Sequence, residues 1–464
     1  MDVPFIGRRT ELHALETEYT RGPGVITVTG RTGIGKTRLL REFSVGKSVL
    51  HFTASPVNDR MLLDEFDRRL SEFCGSRPGS CRSWSDAFRT FASHSDNLKI
   101  LILDGFQYLA SEGFLTELRD SWDEVLSEKN VIMILCGSVV SQMRSLTADQ
   151  DSPMFGIVRK EIVLEPLRFE EIASDDYTGS LTAYSMHGGI PAVMRHTRNI
   201  TDPEELFSVL SDPDSGVFSR VIDSLSAEVK GIPVYLSIMK AIAEGRNRIT
   251  QISDAVGIPP TTLNAYLRKL LDNGAVRRGV PATEYFPEKS KSGIYSIADY
   301  NTLFWLSFIH PHLSEMEAGD DAHVKNDFSS RFEDILLHPA YRDACISGLQ
   351  SLTDEIGFMP IMFGRFWNKN VDMDIIALNP AKRRALIARC YCGRGKATRD
   401  DLNALIRDAE HITELRGYVV KPGMFSLNGF EEDLMAEPNL LLVHGRSVVN
   451  GKRSEGVLDG DTGI

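Results

Sequence analysis

The sequence predicts an α/β chain of several units: a parallel sheet under helices, a helical segment, a helix-turn-helix with two short strands, and a second α/β unit. Three observations predict this. The chain has 464 residues, too many for one ordinary core and enough for about three. Between residues 24 and 165, apolar runs at 25–29, 48–53, 99–104, 131–137 and 161–164 alternate with amphipathic stretches such as 37–43 and 114–126. Buried strands alternating with helices give a parallel sheet. From residue 217 the pattern changes to helices followed by two strand-like runs, and mixed α/β returns after Phe332.

The 42% hydrophobic and 25% charged content is that of a globular protein in water. No apolar run approaches the roughly 20 residues of a membrane helix, and the start MDVPFIGRRTEL holds no leader segment. The six Cys (Cys74, Cys81, Cys136, Cys345, Cys390 and Cys392) are scattered, unlike a disulfide framework. The expectation is a cytoplasmic protein with no membrane partner. A net charge of −12 argues against indiscriminate nucleic-acid binding, yet residues 246–296 carry eight Lys/Arg against four acids. That local reversal is the footprint of a nucleic-acid-facing segment.

Within the first unit, Gly30-Arg31-Thr32-Gly33-Ile34-Gly35-Lys36-Thr37 fits the Walker A pattern, with a strand before it and a helix, opening at Arg38, after it. The glycines let backbone amides surround phosphates, and the helix N-terminus adds partial positive charge. Lys36 supplies a full charge to the outer phosphates, and the Thr37 hydroxyl is placed to ligate magnesium. Residues 30–38 are therefore the candidate ATP contacts. Asp104, ending an apolar strand, is the second candidate for holding Mg2+. The next residue is Gly105, where many such ATPases carry a Glu. A glycine offers no general base, a loss of order 100- to 10,000-fold in rate. Ser138, after the 131–137 strand, is a candidate γ-phosphate sensor, although a strand-end Ser also serves as a simple turn residue.

The chain resembles the archaeal AAA-like ATPases of the signal-transduction class, which join a P-loop domain to a winged helix and a restriction-endonuclease-like domain. The resemblance rests on Phe5-Ile-Gly-Arg8, the Walker A, Leu103-Asp-Gly-Phe-Gln-Tyr-Leu109, Leu135-Cys-Gly-Ser138, Pro166-Leu-Arg-Phe169 and Gly188-Gly-Ile-Pro191. It implies a P-loop core at 1–165, a helical lid at 166–215, a winged helix at 216–300, a restriction-endonuclease-like domain at 328–450 and a frayed tail at 451–464. It also implies ATP over GTP, Phe5–Arg8 near the adenine, and Gly188–Pro191 in the lid that senses nucleotide. Two departures stand out: Gly105 in place of the Glu, and Ile157 where the family carries an Arg. Both put turnover in doubt more than binding.

Residues 249–257 read as a short helix ended by Gly257, and 261–274 as a second helix capped by Thr261. Leu263, Leu267, Leu270 and Leu271 share one face, leaving Thr261, Thr262, Asn264, Arg268 and Lys269 outward. Such a second helix enters the major groove of DNA. Arg277, Arg278, Lys289 and Lys291 lie on the expected wing, where they would meet phosphate.

Restriction-type nucleases hold magnesium with a helix Glu, a strand Asp and a Glu-x-Lys. Here Glu333 and Asp374 match, but Ala388-Arg389-Cys390 stands at the Glu-x-Lys, and Lys396 lies a few residues on. The expectation is a nuclease fold without its chemistry, and buried free thiols at Cys345, Cys390 and Cys392. The leading function is an ATP-binding switch that contacts DNA with weak or no hydrolysis. Beside it stand an active motor or metal-dependent nuclease, and a scaffold that contacts only protein or itself.

Overall fold

The runs 25–28, 100–103 and 131–136 consist almost wholly of β-branched and aliphatic residues, which fit a strand covered on both faces. In the computed structural model they are the centre of a five-stranded, all-parallel sheet. The structure describes residues 4–447 apart from 77, 78, 80, 320, 321, 394 and 446, and the tail expected at 451–464 lies outside them. The strands are β1 (Gly24–Thr29), β2 (Val49–Thr53), β3 (Lys99–Asp104), β4 (Val131–Gly137) and β5 (Val158–Val163), in the order β2-β3-β4-β1-β5. Every residue of β1, β3 and β4 is buried. The register pairs Thr29 with Gly137 and Cys136 with Asp104, so the C-terminal ends of β1, β4 and β3 stand in a row. That row is where ligands bind in open parallel sheets.

Residues 166–215 are helical, and the helices Ile232–Ala243, Ile249–Val256 and Pro260–Asp272 are followed by the antiparallel pair β6 (Val276–Gly279) and β7 (Ile294–Ile297). The second helix of this unit starts differently from the sequence expectation. Thr261 does not cap it; the helix opens on Pro260, with Pro259 before it and no side-chain cap. Proline is pre-organised for the first turn, where its missing N–H is not needed.

The C-terminal sheet is mixed. Strands β8 (Met362–Trp367), β9 (Asp372–Asn379) and β10 (Arg384–Tyr391) form an antiparallel meander, and β11 (Val419–Ser426) and β12 (Leu441–His444) continue it in parallel. The helix Arg399–Ala409, capped by Thr398, makes the crossover from β10 to β11. Residue 328, where the last unit was expected to begin, lies inside the helix Ala322–Phe332.

One apolar core runs from Leu15 through Phe207 and Phe304 to Val443. The rings of Phe207, Phe304 and Phe328 pack with centroids 4.8–6.1 Å apart, joining the lid, the segment after the wing and the C-terminal unit. Tyr184 of the lid meets Tyr300 at 5.8 Å. The units are thus welded rather than strung on linkers, a long-range property that local periodicity does not carry.

Candidate functional site

The Walker A loop leaves the end of β1 and enters the helix Lys36–Ser44. Gly30, Gly33 and Gly35 all have positive φ, which curls the loop over the start of that helix. Lys36 is buried; its Nζ donates to the carbonyls of Gly30 (2.6 Å) and Arg31 (3.1 Å). Burial pushes its pKa down, opposed by the nearby Cys136, Asp104 and Glu228. The Thr37 hydroxyl donates to Asp104 Oδ2 at 2.7 Å, so both candidate magnesium ligands already meet. Thr32 and Arg38 are exposed, Arg38 at 3.9 Å from Glu42.

Asp104 has a partner that sequence reading missed. His51 on β2 places Nε2 3.7 Å from Asp104 Oδ2. Burial works against the ionised carboxyl, but the neighbouring His51, the Thr37 hydroxyl bond and the nearby Cys136 outweigh it and hold the pKa down to about 2. A carboxylate ionised throughout the working pH range, beside a Thr hydroxyl, suits a divalent cation. The residues fit MgATP: amides of 30–37 and Lys36 would hold phosphates, and Thr37 and Asp104 would hold the metal. When bound, the metal neutralises phosphate charge.

Gly105 follows Asp104 with φ +72°, and a Cβ built there would lie 2.7 Å from the Ala54 carbonyl oxygen. The backbone therefore favours glycine there over any residue with a Cβ. Gly105→Glu is expected to lower stability by about 1–3 kcal/mol through forced left-handed backbone and the clash, without raising hydrolysis; thermal melting and a turnover assay check both halves.

Ser138 is half-buried, its N–H donating to Gln107 Oε1 at 3.1 Å. Arg8 is buried and gives Nη2 to the carbonyls of Ile34 (3.0 Å) and Glu165 (2.6 Å), so the Phe5–Arg8 segment braces the loop from outside. The helical segment 166–215 touches the loop directly: Ala192 N–H donates to Gly33 O at 3.1 Å. Gly189, φ +67°, lets the chain turn there, since a Cβ would stand 2.0 Å from Leu167 O. His187 is fully enclosed, its Nδ1 accepts from Gly189 N, and burial pushes its pKa down to about 3.

The least anticipated feature is the Arg31 side chain. Its Nη1 meets Asp299 Oδ2 at 2.7 Å, and its Nε donates to Ser224 Oγ at 3.4 Å. Asp299, just after β7 and almost fully buried, also takes Arg220 Nη2 (3.5 Å), Thr302 N (2.7 Å) and Thr302 Oγ1 (2.8 Å). Arg220 and Ser224 belong to the helix Arg220–Glu228. Its last residue, Glu228, accepts from Val140 N at 2.6 Å and Ser141 Oγ at 2.8 Å, right after Ser138. One helix thus touches the Walker A loop, the segment after β4 and the residue that follows β7.

On the winged helix, Thr261, Thr262, Asn264, Arg268 and Lys269 are all exposed, while Leu263, Leu267 and Leu270 are buried. The wing arginines both have partners within the protein. Arg277 pairs with Asp343 at 2.7 Å, and Arg278 donates to the carbonyls of Pro287 (3.1 Å) and Ser290 (2.6 Å). Arg277, its side chain 51% exposed, thus ties β6 to the helix His338–Gly348, and Arg278 holds the wing loop together.

In the C-terminal unit, Asp374 is buried, accepts from Cys390 N at 3.0 Å and lies 3.4 Å from His338 Nε2. Glu333 Oε1 is 3.9 Å from Cys392 Sγ. Both acids adjoin the end of β10. Ala388 is fully buried and Cys390 has a thiol pKa pushed well up by burial, so neither supplies a ligand or a cation. Arg389 turns to Asp408, and Lys396 is exposed. The cysteines Cys345, Cys390 and Cys392 are buried and free. Among the described residues no group of three or more His, Cys, Asp or Glu is placed to hold a metal, and no helix is long and apolar enough to cross a membrane.

Comparison with known proteins agrees with this geometry. Residues 19–139 match the AAA domain family. Residues 236–277 match winged helix-turn-helix DNA-binding domains, and 305–397 match a family described as archaeal and bacterial proteins of unknown function. The uncharacterized protein MJECL04 of Methanocaldococcus jannaschii is 25% identical over 423 residues, covering 89% of this chain and 92% of that one. Among solved structures, the Walker-type ATPase PABY2304 of Pyrococcus abyssi shares the fold: TM-score 0.51, 21% identity, 65% of this chain and 96% of that one. The ORC2 protein of Aeropyrum pernix, solved as ADPNP-ADP complexes, gives a TM-score of 0.43 at 16% identity over 68% and 97%. The chain therefore joins an AAA-type P-loop domain, a winged helix and a C-terminal mixed-sheet unit.

Proposed function

We propose that the protein is an ATP-binding switch whose nucleotide state sets the posture of a DNA-contacting winged helix, with slow or no hydrolysis. The observation that carries this reading is the ion pair from Walker A Arg31 to Asp299 at the end of the wing. A nucleotide that rearranges residues 30–37 displaces Arg31, and with it the group that Asp299 and Arg220 hold. A switch needs two states with different affinities, not fast turnover. Gly105 and its neighbour Ala54 support slow turnover, because the usual water-orienting side chain has no room. The family match at 236–277 and the outward polar face of the helix Pro260–Asp272 support DNA as the partner.

Steady-state hydrolysis with and without duplex tests this. Saturable MgATP binding with slow turnover, together with duplex affinity that changes with nucleotide, supports the switch, and no DNA response at all would leave a scaffold. Rapid DNA-stimulated hydrolysis would show a motor instead. The C-terminal unit is proposed to bind or brace rather than cut: plasmid incubated with Mg2+ or Mn2+ is expected to stay intact, and cleavage lost in Asp374→Ala would contradict this.

A further inference from the structure

The wing does not stand free of the C-terminal sheet. Ala282 N–H donates to Arg365 O, and Trp367 Nε1 donates to Ser292 O, both at 2.9 Å. On the other side of β7, Tyr295 N–H donates to Asn247 O at 2.8 Å. A cleft of about 330 Å³ lies along this seam, between Asn247–Arg248 and the β8–β9 turn. Its cations are Arg248, Arg365 and Lys369, against one acid, Asp372. Arg365 is committed: it pairs with Asp372 (Nε–Oδ1 2.9 Å) and lies 5.6 Å over the Trp367 ring. Arg248 and Lys369 are exposed, and among the described residues neither has an acidic partner. Asn368 Oδ1 accepts from Asn370 N (2.8 Å) and Val371 N (2.9 Å), which fixes the turn presenting Lys369.

We infer that this seam is a phosphodiester-binding cleft that carries the DNA contact from the winged helix onto the C-terminal unit. The proposal rests on the DNA-binding reading above and names where that site extends. Two unpaired cations beside the amides of Asn247 and Asn370 suit phosphate oxygens. A base-stacking role does not suit the cleft, since Trp367 is buried beneath Arg365. Position favours DNA over a free anion. Arg248 immediately precedes the helix Ile249–Val256, the first of the helix-turn-helix, and that helix crosses the DNA backbone in such folds. The cleft adds to the wing, where Arg277 meets Asp343 and Arg278 meets wing carbonyls while Lys289 and Lys291 are exposed.

The test is anisotropy of a labelled mixed-sequence duplex with the full chain across a salt series. Lys369→Gln and Arg248→Gln are each expected to weaken binding uniformly across sequences and to reduce the slope of log affinity against log salt by about 0.9. Both side chains are exposed, so melting temperatures equal to wild type establish that the fold is kept. Wild-type affinity and slope in both variants, while Arg268→Gln weakens binding, would overturn the cleft and leave the winged-helix reading standing. Absence of salt-dependent duplex binding by the wild type would overturn both. Loss of inorganic pyrophosphate binding in Lys369→Gln with unchanged duplex binding would also overturn the proposal, assigning the cleft to a free anion.

Discussion

Replacing Asp299 by alanine is expected to destabilise the protein by about 3–5 kcal/mol, the cost of stripping the partner from a buried charge. Asp299 is 4% exposed and holds Arg31, Arg220 and both donors of Thr302. Burial disfavours its charge, but Arg31 and Arg220 outweigh that and keep its pKa below the usual value. A carboxyl with a depressed folded pKa stabilises fully above its unfolded value, about 4, and loses that contribution as pH falls through the folded value. The deficit of Asp299→Ala is therefore whole at neutral pH and shrinks in acid, which denaturant titrations at two pH values measure. Arg31→Gln removes one partner only and leaves Asp299 with Arg220 and Thr302, so its stability loss is expected to be much smaller. Its signature is functional: nucleotide binding persists, while the effect of nucleotide on duplex affinity is lost.

Lys36→Ala is expected to reduce MgATP affinity at least tenfold to a hundredfold. Charged hydrogen bonds contribute about 1.5–3 kcal/mol each, and Lys36 is the only side-chain cation within the GxxxxGK stretch whose head lies inside the loop, on Gly30 O and Arg31 O. Its ammonium leaves those carbonyls for phosphate oxygens without any rearrangement of the sheet. Calorimetry with wild type and variant checks it; equal heats would place the nucleotide elsewhere.

The parallel sheet was legible because strands buried on both faces read as unbroken apolar runs, as in 99–104 and 131–137. The phosphate loop was legible because its glycines and Lys36 sit at fixed spacing between a strand and a helix. The outward face of the helix Pro260–Asp272 followed from the spacing of Leu263, Leu267 and Leu270. What sequence did not carry were contacts between distant segments. Arg31 lies 268 residues from Asp299, and His51 reaches Asp104 only because β2 pairs with β3. Charge alone did not show that Arg277 meets Asp343 or that Arg278 meets wing carbonyls, since a cation's partners within the chain are settled by the fold. The start of the helix Pro260–Asp272 was misplaced because Thr261 resembles a cap while Pro260 had already opened the turn.

In the proposed switch, Arg31 and Asp299 couple the phosphate loop to the winged helix. The direct measurement is duplex affinity of the intact chain with and without a saturating, non-hydrolysable ATP analogue. A coupling of about 1–3 kcal/mol, or roughly 5- to 150-fold in affinity, is the predicted result, and it should vanish in Arg31→Gln. Equal affinities in the two nucleotide states of the wild type would contradict the account.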